Sequence, residues 1–130
     1  AIAENITDFK NVKVLVAEDD LANYAYIERL LLRFNINVVH ALNGTQAIYL
    51  LTKIPDIKLV LMDIKMPLLD GIQALHQIKE RKIDIPVVAQ TAYALSHEVV
   101  KLKEEGFDDY IAKPLSLADI SRVLHRWIKI

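Results

Sequence analysis

The chain of 130 residues contains no cysteine, which excludes disulfides and thiolate metal sites and leaves a cytoplasmic location permitted. It has no surplus of either charge: sixteen basic residues face seventeen acidic ones, for a net charge of −1. That balance gives no whole-chain attraction to nucleic acid or anionic lipid, and direct DNA binding is not expected. Long hydrophobic runs are missing too. The apolar stretches are strand-sized, well short of the roughly eighteen residues of a membrane span, so no membrane contact is expected. The opening AIAENITDFK has no basic start followed by an apolar block. There is no internal repeat, low-complexity segment or linker. What remains, 53 % hydrophobic and 25 % charged residues, suits one compact soluble domain over 1–130 with its core from about residue 11. Because the chain starts at Ala1 and stops directly after RWIKI, it is expected to be a piece excised from a longer polypeptide.

Short β-branched runs recur at 12–17 (VKVLVA), 37–41 (NVVHA), 58–63 (KLVLMD), 86–90 (PVVAQ) and 109–113 (DYIAK). Several are apolar on both alternating faces, as strands covered by helices on each side must be. Helix-period segments lie between them. In LANYAYIERLLLRF, Tyr26, Ile27, Leu30 and Phe34 are expected on the core side, with Tyr24, Ala25, Glu28 and Leu32 opposite and Leu31 at the margin. Asp70 is expected to cap GIQALHQIKE and Ser116 to cap the last helix, which should turn Leu117, Ile120, Leu124 and Trp127 inward. Strict β-α alternation predicts an α/β fold: a doubly wound, five-stranded parallel sheet between two helical layers, with right-handed crossovers. In such sheets ligands collect at the carboxyl ends of the strands, near the point where strand order reverses.

The strand ends carry the chemistry. Strand one ends in Glu18, Asp19 and Asp20, strand three in Asp63, strand four in Thr91 and strand five in Lys113. Strand two, ending near His40 and Ala41, offers nothing comparable. In the order 2-1-3-4-5 these ends converge. Clustered carboxylates repel unless a cation compensates them, and oxygen-only ligands with room for water suit Mg²⁺ or another divalent cation. Asp19 and Asp63 are the expected direct ligands, with Glu18 acting through water and the Lys65 carbonyl completing the protein share. Lys113 and Thr91 supply a positive charge and a hydroxyl suited to gripping phosphoryl oxygens, so that Asp63 becomes a usable nucleophile toward phosphorus. Asp63 alone would be an ordinary turn former. Agreement among four strand ends is what singles it out. The histidines 40, 76, 97 and 125 lack ligand spacing and are expected to be surface or packing residues.

With VKVLVAEDD, LVLMDIKMPLLDG, VVAQTAYA and GFDDYIAKPL in place, nearly the whole chain resembles the receiver domain of response regulators, also called CheY-like, in two-component signalling. The resemblance implies a flavodoxin-like fold, Asp63 as phosphoryl acceptor, Glu18 and Asp19 as the acidic metal pair and the Lys65 carbonyl as a further ligand. It also implies Thr91 as the switch hydroxyl, Tyr110 as the aromatic that follows it, Lys113 as the phosphate-contacting lysine and a cis bond before Pro114. Glu18 stands where Asp is more usual, Leu69 where Met is frequent, and Gln90 where an apolar residue is common. Gln90 is expected to alter packing of the fourth strand or contact a neighbour. Lys65 and Tyr93 occupy the family's variable positions governing water access to the phospho-aspartate.

The implied partners are a sensor histidine kinase or a histidine phosphotransfer protein, docking on the first helix over Tyr24, Ala25, Glu28 and Leu32. A homodimer is also compatible. EDDLANY and QTAYA resemble receivers fused to hybrid histidine kinases, whereas stand-alone regulators and transcription-factor receivers share every reacting residue. A phosphatase of the haloacid-dehalogenase type would want a carboxylate at position 65, and a flavin module a phosphate loop in place of EDDLAN. No turnover beyond self-dephosphorylation is expected.

Overall fold

The computed structural model describes residues 8–92 and 94–129. Five strands and five helices alternate along it: β1 (Lys13–Ala17), α1 (Leu21–Leu32), β2 (Asn37–Ala41), α2 (Gly44–Lys53), β3 (Ile57–Asp63), α3 (Gly71–Glu80), β4 (Val87–Thr91), α4 (Ser96–Glu105), β5 (Asp109–Ala112) and α5 (Leu117–Trp127). The strands form one parallel sheet in the order β2-β1-β3-β4-β5, the expected topology. Strand order reverses at β1, with β2 on one side of it and β3 on the other, and the crevice opens at the carboxyl ends of β1 and β3. Among the described residues no helix is long and apolar enough to cross a membrane.

Strand alternation divides the interior into two halves. Val14, Val16, Leu59, Leu61, Val88 and Ile111 face the layer of α1 and α5. Leu15, Ala17, Val60, Met62, Val87 and Ala89 face α2, α3 and α4. Both faces of the central strands are buried, which accounts for their continuous apolar sequence.

The helix boundaries follow local chemistry. Asp20, Asn43, Asp70 and Ser116 each accept a backbone N–H from the third residue onward, and Asp70 and Ser116 complete reciprocal capping boxes with Gln73 and Asp119. Gly106 ends α4 in the left-handed region at φ 116°, where glycine has no Cβ penalty.

Helix α1 departs from its expected orientation. Ile27 and Leu31 are fully buried and Phe34, just past the helix, is nearly so, while Tyr26 is 39 % exposed. Leu31 therefore belongs to the core instead of its margin, and Tyr26 leaves the core stripe to donate its hydroxyl to the Leu115 carbonyl. Tyr24 is half-buried and packs against the α1/α5 half of the core. The buried stripe runs 24, 27, 31 and 34, a 3-4-3 spacing that keeps Ile27 and Phe34 and is turned by roughly 65° from the expected one. Leu21 and Leu32 remain exposed at the two ends of the helix.

A buried polar network fastens β5 to α5. Asp109, 7 % exposed, accepts from Trp127 Nε1 at 2.9 Å, from Arg122 at 2.9 Å and from the Tyr110 N–H at 2.8 Å. Burial pushes this carboxyl up, but the bonds from Trp127, Tyr110 and Arg122 more than reverse it and hold it below the ordinary value. A depressed folded pKa contributes stability that is present above the unfolded value near 4 and is lost as pH falls through the folded one. Asp109→Asn should therefore cost about 2 kcal/mol in denaturant unfolding at pH 7, with the gap from the parent narrowing below about pH 4. A gap that stays constant with pH would show that the charge contributes nothing.

Candidate functional site

Strand ends build the site. The β1–β3 register pairs Ala17 with Met62, so the next residues, Glu18 and Asp63, emerge side by side on the edge of the sheet. Asp63 is 4 % and Glu18 1 % exposed, while Asp19 is exposed. One carboxylate oxygen from each of Glu18, Asp19 and Asp63 lies within 4.8 Å of the others. Three hard oxygen donors at that spacing match what a small divalent cation needs, so the donor set fits a metal ion.

Lys113 reaches across from the end of β5. Its Nζ lies 3.0 Å from Asp63 Oδ1 and 3.7 Å from Glu18 Oε1. Its backbone N–H donates to the Thr91 carbonyl at 2.8 Å, and the peptide to Pro114 is cis, as the resemblance implied. One ammonium among three carboxylates leaves the cluster negative. Burial pushes the Glu18 carboxyl above its usual range; the Asp20 N–H opposes this, Asp63 adds to it, and Asn23 and Lys113 oppose it. Glu18 is accordingly held by hydrogen bonds, accepting from the Asp20 N–H at 3.1 Å and from Asn23 Nδ2 at 2.5 Å.

The loop after Asp63 is closed by the chain itself. The Lys65 N–H points to Asp63 Oδ1 at 3.4 Å, Ile64 donates to the Gln90 carbonyl at 3.3 Å, and Gly71 donates to the Ile64 carbonyl at 2.9 Å. A Cβ at Gly71 would overlap the Asp63 carbonyl oxygen, so only glycine lets α3 start this close to the acceptor strand. Thr91 is buried at the end of β4. Beside it opens a cavity of about 210 Å³, lined by the polar Asp63, Thr91 and Lys113 and the apolar Ile64, Ile72 and Leu102. The exposed Lys65 also borders it. Tyr110 is half-buried on the α4 side of β5.

Glu18, Asp19, Asp63, Lys65, Thr91 and Lys113 are thus gathered at one crevice. Tyr93 lies outside the described residues. Of the four α1 positions expected to meet a partner, Leu32 is 53 % exposed, whereas Tyr24, Ala25 and Glu28 are only partly so, and the Tyr24 hydroxyl donates to Glu28 at 3.2 Å. Gln90 is fully buried, and neither its side-chain nitrogen nor its oxygen has a hydrogen-bond partner among the described residues. In the β3–β4–β5 register it stands between Asp63 and Ile111.

Two neighbours of the site escaped sequence reasoning. Asn23 grips Glu18 from the first turn of α1. His40 does contribute from β2, because its Nε2 lies 2.8 Å from the Glu18 carbonyl oxygen. The available signal was a histidine directly after Val38 and Val39, near the carboxyl end of β2. That signal does not name its target.

Known proteins share this fold. Residues 14–125 match the family model described as the response regulator receiver domain. A peroxide stress-activated histidine kinase, mak1, of Schizosaccharomyces pombe is 36 % identical over 118 residues, covering 85 % of this chain and 7 % of the kinase. The chain spans 4–17 % of the length of the first three curated relatives it matches. The receiver domain of the sensor histidine kinase PA1611 from Pseudomonas aeruginosa, solved with magnesium in its active-site cleft, superimposes with a TM-score of 0.80 at 32 % identity, covering 89 % of this chain and 96 % of that one. The Saccharomyces cerevisiae Ssk1 receiver, crystallised with the phosphotransfer protein Ypd1, gives 0.82 at 28 % identity over 92 % and 90 % of the two chains. With family match, sheet order and acid cluster in agreement, the chain belongs to the response regulator receiver family, the phosphorelay module of two-component signalling.

Proposed function

We propose that Asp63 is the phosphoryl acceptor and that Glu18, Asp19, Asp63 and the Lys65 carbonyl hold Mg²⁺. The observation that carries this is a buried carboxylate, Asp63, sharing a 4.8 Å cluster with two others and paired at 3.0 Å with Lys113. An Asp63 oxygen attacks the phosphorus of a phosphohistidine on a partner, the P–N bond breaks, and the imidazole nitrogen leaves with the electron pair and takes a proton. A bound divalent cation supplies charge neutralisation between the phosphoryl oxygens and the acid cluster.

The chain's own groups do the rest. The Lys113 ammonium moves from a carboxylate oxygen to a phosphoryl oxygen, and the Thr91 hydroxyl takes another. The cavity beside Thr91 leaves room for that displacement, and Tyr110 follows inward, changing the face formed by α4, β5 and α5. A bias of a few kcal/mol on a pre-existing equilibrium suffices for such a switch. The phosphoryl donor is a sensor histidine kinase or a histidine phosphotransfer protein that docks on α1, where Leu21 and Leu32 stay exposed. We assign the chain to the receiver part of a cytoplasmic hybrid histidine kinase, a parentage supported by the small share of its kinase relatives that it spans. The domain acts as a switch with no turnover beyond self-dephosphorylation.

Incubation with Mg²⁺ and acetyl phosphate should add one phosphoryl group, read by intact mass, to the parent and none to Asp63→Asn. Incorporation persisting in the variant would reject Asp63 as acceptor. Lys65 and Tyr93 are assigned to slowing hydrolysis by restricting water, so Lys65→Ala and Tyr93→Ala should shorten the half-life of the phosphorylated form in a phosphate-release assay. Unchanged half-lives would remove that role.

A further inference from the structure

The exposed Asp19 is the member of the acid cluster that nothing holds directly: its carboxylate makes no hydrogen bond among the described residues, whereas Glu18 is bonded twice and Asp63 is bonded by Lys113. Its aim therefore depends on the backbone that carries it. The peptide joining Glu18 to Asp19 is planar, so fixing the direction of the Glu18 carbonyl also fixes the plane from which Asp19 departs. That carbonyl accepts from His40 Nε2 at 2.8 Å. A carbonyl can only accept, so the proton of a neutral His40 resides on Nε2. On its other side, the Glu18 N–H donates to the Ala41 carbonyl at 2.9 Å.

The imidazole is itself clamped. The Tyr24 ring stacks flat on it, with centroids 3.5 Å apart and planes at 8°. Tyr24 is fixed in turn by its hydroxyl's bond to Glu28 at 3.2 Å and by its backbone N–H donating to the Asp20 carbonyl at 2.9 Å. Burial, with Glu28 beside it, pushes that hydroxyl up to about 12, so it stays a neutral donor over the usable pH range. An unbroken line of contacts thus runs from α1 through Tyr24 and His40 to the peptide that carries Asp19.

We propose that His40 is a positioning residue for the divalent cation: its Nε2 donor, held by the Tyr24 stack, orients the Glu18–Asp19 peptide and so sets the cation affinity of the acid cluster. This rests on the cation site proposed above and adds to it an element from β2, the strand that contributes no ligand. It also gives α1, the helix proposed to meet the phosphoryl donor, a direct mechanical link to a metal ligand. Outer-shell hydrogen bonds of this kind orient ligands, and their loss weakens metal binding roughly 10- to 100-fold.

The test is calorimetric titration of the whole chain with Mg²⁺, with melting temperatures measured alongside. His40→Phe keeps a ring to stack on Tyr24 and removes the donor; His40→Gln puts an amide N–H back near the Nε2 position. The expected result is Mg²⁺ binding to the parent, about tenfold weaker binding to His40→Phe and recovery in His40→Gln, an order that the melting temperatures of the two variants do not reproduce. Parent-like affinity in His40→Phe would overturn the inference and leave the cation site standing, as would affinities that merely track melting temperature in both variants. No Mg²⁺ binding by the parent would overturn the site and the inference together.

Discussion

Mutual repulsion among three carboxylates is the constraint on which this molecule is organised. Glu18, Asp19 and Asp63 bring oxygens within 4.8 Å of one another, two of them in side chains almost withdrawn from water. Such a cluster is costly, and one lysine at 3.0 and 3.7 Å offsets only part of its charge. The remaining negative charge on three oxygen donors fits a divalent cation. Neutral donors fix the geometry meanwhile: the Asp20 N–H and Asn23 on Glu18, and the Lys65 N–H toward Asp63.

The parallel sheet makes the cluster possible by delivering its parts from distant stretches of chain. The register of β1 with β3 sets Glu18 beside Asp63, and β4 and β5 bring Thr91 and Lys113 to the same edge. These parts are also wired together through the backbone. The Lys113 N–H bonds the Thr91 carbonyl, and the Ile64 N–H bonds the Gln90 carbonyl. Asp63 is thereby tied directly to the ends of β4 and β5, the strands that carry Thr91 and Tyr110. Asp109 braces the far end of β5 against α5 through Trp127 and Arg122, so movement at the carboxyl end has a fixed base to work against.

Much of this was legible in the residues because it depends on periodicity and strand ends. Continuous apolar runs marked buried strands, Asp70 and Ser116 marked helix starts, and four polar strand ends marked the crevice. The orientation of α1 was not legible in the same way. In LANYAYIERLLL apolar and aromatic residues occupy most of the circumference, so the period admits more than one stripe. Packing against the sheet selects 24, 27, 31 and 34. His40 was missed for a different reason: its target is a main-chain carbonyl, which has no residue type to pair with in sequence. Gln90, a departure from the family's usual apolar residue, proves fully interior, and its amide has no hydrogen-bond partner among the described residues.

If the carboxylates form one electrostatic unit, relief of their repulsion must appear as folding stability. The most direct measurement is the thermal midpoint of the intact chain in MgCl₂ against NaCl at matched ionic strength. A cation that binds only the folded cluster stabilises it by about 2.7 kcal/mol at a hundred times its dissociation constant, so the midpoint should climb with Mg²⁺ and saturate, with no equivalent rise in Na⁺. Coincident curves in the two salts would mean that the three acids do not act together, and the account would fail at its base.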